Sequence, residues 1–192
     1  MSATSTLSGI SGHTSGVVLS VVVLLVAMAI GYIAHGSLRQ LGQLRFRSSW
    51  LVLAALVAQL VAGVAAGPAY QWGLGLSVLL IGAFLTRNRG VRGMGLVALG
   101  LLLNAVVVGA NGAMPVSADA SGRAGLSTQR LLAGTDPRHQ LAGPDTQLRW
   151  LGDVIPVLLP LHPQVISVGD LLVAAGLGQL IVVAMTRRRE PD

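Results

Sequence analysis

The side chains that could do chemistry gather in the last third of the chain, around a proline-rich apolar stretch. Asp153 and Asp170 flank that stretch, and His139 and Asp145 precede it. Carboxylates together with an imidazole can transfer protons to a substrate, and carboxylate oxygens can bind a hard cation. If the chain folds so that these four residues meet, they would form an acid–base site or an ion-binding site.

The same residues also suit structural roles. Ser167 and Asp170 have the spacing of a capping box at a helix N-terminus. Asp145 follows a proline and Asp153 follows a glycine, as acids in turns commonly do, and Arg149 is near enough in sequence to pair with Asp153. From the sequence alone, chemical and structural roles for these acids both remain open.

Three amide side chains interrupt apolar runs, a fourth follows one of these runs, and together they form a second group of candidates. Gln59, Asn104 and Gln179 lie near the middle of their runs, and Asn111 lies seven residues after Asn104, on the same face of a helix. Amides inside a membrane commonly form hydrogen bonds between helices. Two interpretations follow, a polar site for a ligand or ion and a structural link between helices.

Several kinds of site are not predicted. The chain has no Cys, so it has neither disulfides nor a thiolate nucleophile. Its four His do not show the paired spacing of a zinc site, and neither a phosphate-binding loop nor a serine-hydrolase motif is present. We therefore expect no metal and no cofactor.

The composition predicts an integral membrane protein. Of 192 residues 53% are hydrophobic and 10% charged, and the mean hydropathy is +0.71. A soluble domain of this length would have about a quarter of its residues charged. The pI near 11.5 could indicate a nucleic-acid partner. The positions of the arginines indicate membrane topology instead, so no nucleic acid is expected.

Five apolar runs predict five transmembrane helices in an all-α fold. A bilayer core of about 30 Å takes about 20 helical residues, so the third run is marginal in length. Residues 1–15 are expected to be a disordered outer segment, residues 111–167 an outer loop and residues 186–192 a basic cytoplasmic tail. The predicted helices cover about 16–34, 50–67, 70–85, 94–110 and 168–185.

The arginines predict the orientation. All thirteen basic residues are Arg, and loop 35–49, loop 86–93 and the C-terminal tail contain three each. These nine lie on one side of a five-helix arrangement, and short loops rich in Arg stay in the cytoplasm. The sequence therefore predicts an outer N-terminus and a cytoplasmic C-terminus.

The first cytoplasmic loop could also bind lipid. Leucines recur at three-residue intervals from position 38 to position 44, beside Arg39, Arg45 and Arg47. A short amphipathic helix here could lie on the inner leaflet with its arginines on anionic lipid phosphates. The alternative is a topology signal with no further role.

The second half of the outer loop predicts a lid. Leu148–Ser167 is apolar, but Pro156, Pro160 and Pro163 exclude a regular helix. Backbone without internal hydrogen bonds cannot face lipid in the membrane core. This segment is therefore expected to fold across the outer ends of the helices.

Several pieces of the chain resemble an uncharacterised bacterial integral membrane family, the domain of unknown function DUF5317. Two are fairly specific, Asn-Gly-Ala-Met-Pro-Val and Leu-Gly-Asp-Val-Ile-Pro. The resemblance implies a membrane fold in the plasma membrane and no particular activity. The pieces are Gly36–Arg47 leading to Gln59, Asn104 with Asn111–Val116, His139–Pro156 and Val165–Asp170.

Three functional hypotheses follow, none with a known substrate, partner protein or oligomeric state. The first is a non-enzymatic scaffold or accessory subunit that presents its outer lid to a partner in the envelope. The second is a small transporter or ligand-binding membrane protein that uses the intramembrane amides. The third is an extracytoplasmic membrane enzyme that uses Asp153, Asp170 and His139.

Overall fold

The computed structural model describes residues 11–64, 68–133, 138–159 and 163–187. Within these ranges the chain is mostly helical, as predicted. The long helices are α1 (Ser11–Ile33), α3 (Trp50–Val64), α4 (Pro68–Arg87), α5 (Met94–Asn111) and α8 (Val168–Thr186). The short helices are α2 (Leu38–Leu41), α6 (Ala118–Arg123) and α7 (Gln129–Leu132).

Within the described residues all five predicted apolar runs form helices, residues 65–67 of the second lie outside the described ranges, and the boundaries differ most in the first and the third. α1 begins at Ser11, so residues 11–15 are helical rather than disordered, while residues 1–10 lie outside the described ranges. α4 is 20 residues long and begins at Pro68, whose fixed φ suits the first turn of a helix. The third run is therefore longer than its apolar residues alone predicted.

Two helices in the described part of the chain are long and apolar enough to cross a membrane. They are α5 and α8, with 18 and 19 residues. The other long helices contain shorter apolar stretches, Val21–Ile33, Trp50–Val61 and Gly75–Arg87. Length and hydropathy thus give a hint of membrane association.

The prediction of an all-α fold is wrong in the long segment between α5 and α8, which forms a four-stranded sheet. In space the strands are ordered β2-β1-β3-β4, with β1 parallel to both β2 and β3 and β4 antiparallel to β3. We call the described residues between 114 and 167 the sheet module. Its strands are β1 (Met114–Val116), β2 (His139–Leu141), β3 (Asp153–Val157) and β4 (Gln164–Ser167).

Pro156, one of the prolines that exclude a helix here, is compatible with this sheet. Among the described residues, β1 and β3 are paired only at Val116 and Asp153. The residues of β3 after Asp153 have no partner on β1. Pro156 lies beyond that point, where β3 bonds only to β4, so its missing N–H costs no bond to β1. A strand with such a proline has the composition of a loop, which is why the sheet was not predicted.

The sheet module is fixed to one end of the α5–α8 pair. β1 follows α5 after two residues, and β4 continues directly into α8. Met114 of β1 and Leu151, in a 3-10 turn at Arg149–Leu151, are buried against Val107 of α5. Val168 at the start of α8 packs on the same small core.

Glycines allow α5 and α8 to approach closely. Gly100 of α5 faces Gly169 of α8, and a Cβ on Gly100 would collide with the Gly169 carbonyl oxygen. Seven residues earlier, Gly93, the residue before the first turn of α5, faces Gly176 in the same way, at a φ of +93°. Close backbone contact of this kind is how small residues pack membrane helices.

A larger apolar core lies at the opposite end of the molecule. There α8 also packs against α1, and α3 packs against α4. The fully buried Met185 of α8 lies beside Gly31 of α1, where a side chain would meet its sulfur. Leu41, Leu44 and Phe46 of the first loop pack on this core, so these side chains face the protein.

Candidate functional site

The N-terminus of α8 is capped as the sequence predicted. The Ser167 Oγ accepts a hydrogen bond from the Asp170 backbone N–H at 2.9 Å, and the Asp170 Oδ2 accepts one from the Ser167 N–H at 3.1 Å. This reciprocal capping box satisfies two donors that the first turn would otherwise leave unpaired. Ser167 is fully buried, so its hydroxyl is closed to solvent.

Asn104 of α5 completes this cap from the neighbouring helix. Its Nδ2 donates to the Asp170 Oδ1 at 2.8 Å, and its Oδ1 accepts from the Ser167 Oγ at 2.8 Å. Gly169 makes the contact possible, because a Cβ at that position would occupy the space of the Asn104 side chain. The network thus joins α5 to the start of α8.

Asp153 lies beside this network through the register of the sheet. Asp153 of β3 is paired with Ser167 of β4, and its side chain is buried. Burial, followed by the negative charge of Asp170, raises the pKa of Asp153 to about 7, and the positive charge of His139 acts in the opposite direction. Asp153 is therefore the carboxyl group poised to titrate near neutral pH.

His139 of β2 lies on the more open side of Asp153. Its Nε2 is 3.9 Å from the Asp153 Oδ2, which makes an ion pair when the imidazole is protonated. The His139 side chain is 40% exposed and that of Asp153 is 9% exposed. The imidazole is thus the more exposed member of this pair, and the carboxylate is the buried one.

A close backbone contact sets the position of Asp153. Gly152 lies against the carbonyl oxygen of Pro115, and a Cβ there would collide with it. The Asp153 carbonyl oxygen then accepts a hydrogen bond from the Ser117 N–H at 2.9 Å. The Gly152-Asp153 pair therefore packs directly on the strand that contains the Met-Pro-Val piece.

Asn111 has a different structural role at the end of α5. Its Nδ2 donates to the carbonyl oxygens of Val107 and Gln147 at 2.9 Å each, and its Oδ1 accepts from the Gln147 N–H at 2.9 Å. The Asn111 carbonyl oxygen accepts from the Gln140 side chain at 3.1 Å. Asn111 thus ties two segments of the sheet module to α5.

The remaining candidates lie apart from this site. Asp145 is exposed in a turn after Pro144. Gln59 of α3 donates to the buried Ser77 of α4 at 2.8 Å, an interhelical bond on another helix pair. Gln179 is exposed on α8. The four amides are therefore not brought to one site, whereas His139, Asp153 and Asp170 are.

Asp153 pairs with His139 and not with Arg149, the partner that its sequence position suggested. In the parallel β1–β2 pair, His139 is opposite Met114, a register that proximity along the chain does not reveal. Within the described ranges, four buried polar residues were not singled out in the sequence: Ser77, Asn88, Ser121 and Gln164. Asn88 could have been found as the lone amide inside a cluster of arginines.

The arrangement has limited means for catalysis. Both carboxylate oxygens of Asp170 accept hydrogen bonds, and the Ser167 hydroxyl is buried in the same network. Asp153 and His139 remain as a carboxyl group and an imidazole 3.9 Å apart. Across the described ranges, no group of three or more His, Asp or Glu side chains could hold a metal ion.

The chain belongs to a family of unknown function, DUF5317, which it matches over residues 43–182. No significant match was found among curated proteins or among solved structures. The sequence pieces that resemble the family after residue 100 meet in the fold. They supply all four strands, the cap of α8 and Asn104.

Proposed function

We propose that this protein is a multi-pass protein of the bacterial cytoplasmic membrane and acts as a non-enzymatic scaffold or accessory subunit. In this proposal the five long helices cross the bilayer, with the N-terminus outside and the C-terminus inside. The sheet module lies on the outer face as a lid. It presents a fixed surface to a second protein of the envelope.

The apolar surface of the helices supports a lipid environment. Leu53 and Leu60 of α3 are 64% and 71% exposed, and Leu79 of α4 is 73% exposed. Soluble proteins rarely leave extended apolar surfaces uncovered, because exposure of each large side chain forgoes about 1.5–3 kcal/mol. A bilayer would cover these side chains without a protein partner.

Aromatic residues at the helix ends support the same environment. All three Trp of the chain are exposed, Trp50 at 61%, Trp72 at 80% and Trp150 at 64%. In the proposed orientation Trp50 begins α3 on the inner side, while Trp72 near the start of α4 and Trp150 are on the outer side. Trp is enriched at the two membrane–water interfaces, where its ring is partly apolar and its N–H stays hydrated.

One observation supports the scaffold role most directly: the polar residues of the site attach the sheet module to the helices. Asn104 joins α5 to the cap of α8, and Asn111 joins α5 to the segment before β3. Side chains with all of these bonds made are unavailable to a substrate. The same bonds give the module a fixed orientation on the helices, as a presenting scaffold requires.

Two exposed leucines on the module are the proposed contacts for the partner. Leu158 at the end of β3 is 71% exposed, and Leu132 in α7 is 69% exposed. A photoreactive phenylalanine analogue at either position should give one discrete crosslinked product in living cells. The control is the same analogue at Asp145, a polar exposed position in the module. The absence of a product at both leucine positions, at native expression, would contradict the role.

A second candidate function is an extracytoplasmic acid–base site, favoured by the approach of His139 to Asp153 at 3.9 Å. In this role Asp153 would accept a proton from a bound substrate, and His139 would pass it to solvent. Asp153→Asn keeps the size of the side chain and removes the titration. A folded Asp153→Asn variant that loses a cellular phenotype, while Asp145→Asn keeps it, would favour the enzyme over the scaffold.

A further inference from the structure

A basic cleft lies at the end of the molecule opposite the sheet module. It has a volume of about 830 Å³ and is bounded by the residues before α3 and by the turn after α4. Four of its ten lining residues are arginines, two on each wall: Arg45, Arg47, Arg87 and Arg89. Two chain segments about 40 residues apart thus direct their positive charge to one place.

Asn88 fixes the two walls of this cleft to each other. Its side chain is only 3% exposed, and its Nδ2 donates to the carbonyl oxygens of Arg47 and Phe84 at 2.9 and 2.8 Å. Its Oδ1 accepts a hydrogen bond from the Arg47 N–H at 2.8 Å. Phe46 packs on Phe84 with ring centroids 5.8 Å apart, behind the same junction. The Arg47 backbone, and with it the spacing of the two walls at this point, is therefore fixed before any ligand binds.

The positive charge of the cleft has no counterpart within the described residues. The guanidinium groups of the four arginines make neither an ion pair nor a hydrogen bond there. By contrast, Arg123 in the sheet module is paired with Asp119 at 3.2 Å. Every acid in the described ranges follows residue 111, so none belongs to the segments that form the cleft.

We propose that this cleft binds a phosphate-bearing anion, namely the headgroup of an anionic glycerophospholipid in the inner leaflet. The planar fork of an arginine matches two phosphate oxygens, and arginines on facing walls can hold one phosphate group from both sides. The proposal rests on the orientation proposed above, which puts the cleft at the level of the inner headgroups. The cleft would thus bind one lipid headgroup specifically, in addition to the general attraction of arginines to an anionic membrane.

A lipid fits this cleft better than a soluble phosphate compound does, because an exposed apolar surface extends from the rim of the cleft along α3. Trp50 lines the cleft and is 61% exposed. Leu53, one turn further along the same face of α3, is 64% exposed. A headgroup in the cleft would thus have its glycerol beside an indole ring and its acyl chains along α3.

The site differs from the one that the first loop suggested by itself. Arg39 was expected to bind lipid together with Arg45 and Arg47, but it lies on α2 and does not line the cleft. Arg87 and Arg89, at the end of α4 and in the turn after it, line the opposite wall of the cleft instead. Arg39 therefore serves as a control, since it lies in the same loop and has the same charge.

The test is lipid binding to the whole purified protein in a neutral detergent. Phosphatidylglycerol is titrated against the parent, against an Arg45→Gln/Arg89→Gln variant and against an Arg39→Gln/Arg123→Gln variant of equal net charge. Bound lipid is counted by native mass spectrometry. The first variant should bind phosphatidylglycerol about 10- to 30-fold more weakly, and the second should be within about twofold of the parent.

Further measurements distinguish the possible causes of weaker lipid binding. Thermal unfolding without lipid should differ little between the two variants, because the changed side chains are exposed and the Arg123–Asp119 pair is a weak surface pair. An equal loss of lipid binding in the two variants would overturn the proposal in favour of non-specific charge attraction. Displacement of bound lipid by millimolar inorganic phosphate would overturn it in favour of a soluble ligand. The titration is done in detergent, so its result does not depend on the orientation of the protein in cells. Lipid binding can be absent while the proposed orientation is correct, and lipid binding can be present while the proposed orientation is wrong.

Discussion

Asn104 on α5 and Asp170 on α8 are joined by a hydrogen bond of 2.8 Å from the Asn104 Nδ2 to the Asp170 Oδ1. The two residues are 66 positions apart, and the whole sheet module lies between them in sequence. Asn104 also accepts a bond from Ser167, so one amide secures both halves of the capping box. The attachment of the module to the helices depends on this contact.

Loss of the Asn104 side chain should destabilise the protein. Asn104→Ala removes two hydrogen bonds and leaves the Ser167 hydroxyl without its acceptor in a buried place. We expect a decrease of about 1–3 kcal/mol in the free energy of unfolding, measured in detergent micelles with a chemical denaturant. Gln179→Ala, at an exposed amide, should change it by less than about 0.5 kcal/mol. Equal effects of the two changes would argue against a dominant role for Asn104.

The close contact of α5 with α8 gives a second prediction. Gly100→Ala would put a methyl group against the backbone of Gly169, so the helices must separate. We expect a cost of about 1–3 kcal/mol, as for an overpacked core. Gly109→Ala is the matched control on the same helix, because a Cβ there meets nothing within 4 Å. It should be neutral or stabilise by up to about 1 kcal/mol, since alanine favours a helix. A neutral Gly100→Ala variant would contradict the close approach of these helices.

The raised pKa of Asp153 predicts how stability depends on pH. In the folded chain this carboxyl titrates near pH 7, against its ordinary value of 3.8, so between these values the folded state binds more protons than the unfolded state. Its contribution to stability is thus complete below about pH 4, falls as the pH rises to about 7, and changes little above that. The decrease should be at most about 4 kcal/mol.

An Asp153→Asn variant should lose this part of the pH dependence and be more stable than the parent at pH 8. Unfolding curves at a series of pH values test both points. His139→Gln should shift the decrease in stability of the parent to higher pH, because the imidazolium charge lowers the pKa of Asp153. An Asp153→Asn profile that still falls as steeply as that of the parent would show that another group is responsible.

A fourth prediction concerns Asn88 at the basic cleft. Asn88→Ala leaves the backbone N–H and C=O of Arg47 without their partners at the junction of two loops. We expect a loss of about 2 kcal/mol in the free energy of unfolding together with weaker lipid binding. Thr86→Ala is the control, because Thr86 also lines the cleft but bonds only to a neighbouring carbonyl oxygen. If Asn88→Ala bound lipid as tightly as the parent, the cleft would not depend on this junction.

Much of the helical framework could be predicted, because each long helix is marked by a pattern of residues that are close together in the sequence. Apolar runs gave the positions of the long helices, and the Ser167–Asp170 spacing gave the capping box at α8. Such features depend on residues within one turn of each other. The contact of α5 with α8 through Gly93, Gly100, Gly169 and Gly176 was not predicted, because it pairs residues that are distant in sequence.

The sheet, and which residues meet at the site, could not be predicted from the sequence as well as the helices could. β1, β2 and β3 pair in parallel across intervals of about 25 and 40 residues, and no local pattern specifies that register. Pro115 and Pro156 lie within strands, so the usual strand signal is absent. The meeting of His139 with Asp153 follows from this register, as the basic cleft follows from the Asn88 junction.

The proposed membrane location and orientation are tested most directly by the side of the membrane on which each end of the molecule lies. The chain has no Cys, so single cysteines can be introduced without other changes. Ser127→Cys marks the sheet module, and Gly90→Cys marks the cleft at an exposed position with open space around it. With a membrane-impermeant maleimide, Ser127→Cys should be labelled in intact cells and Gly90→Cys only after permeabilisation. Labelling of Gly90→Cys in intact cells, or protection of Ser127→Cys until permeabilisation, would contradict the account.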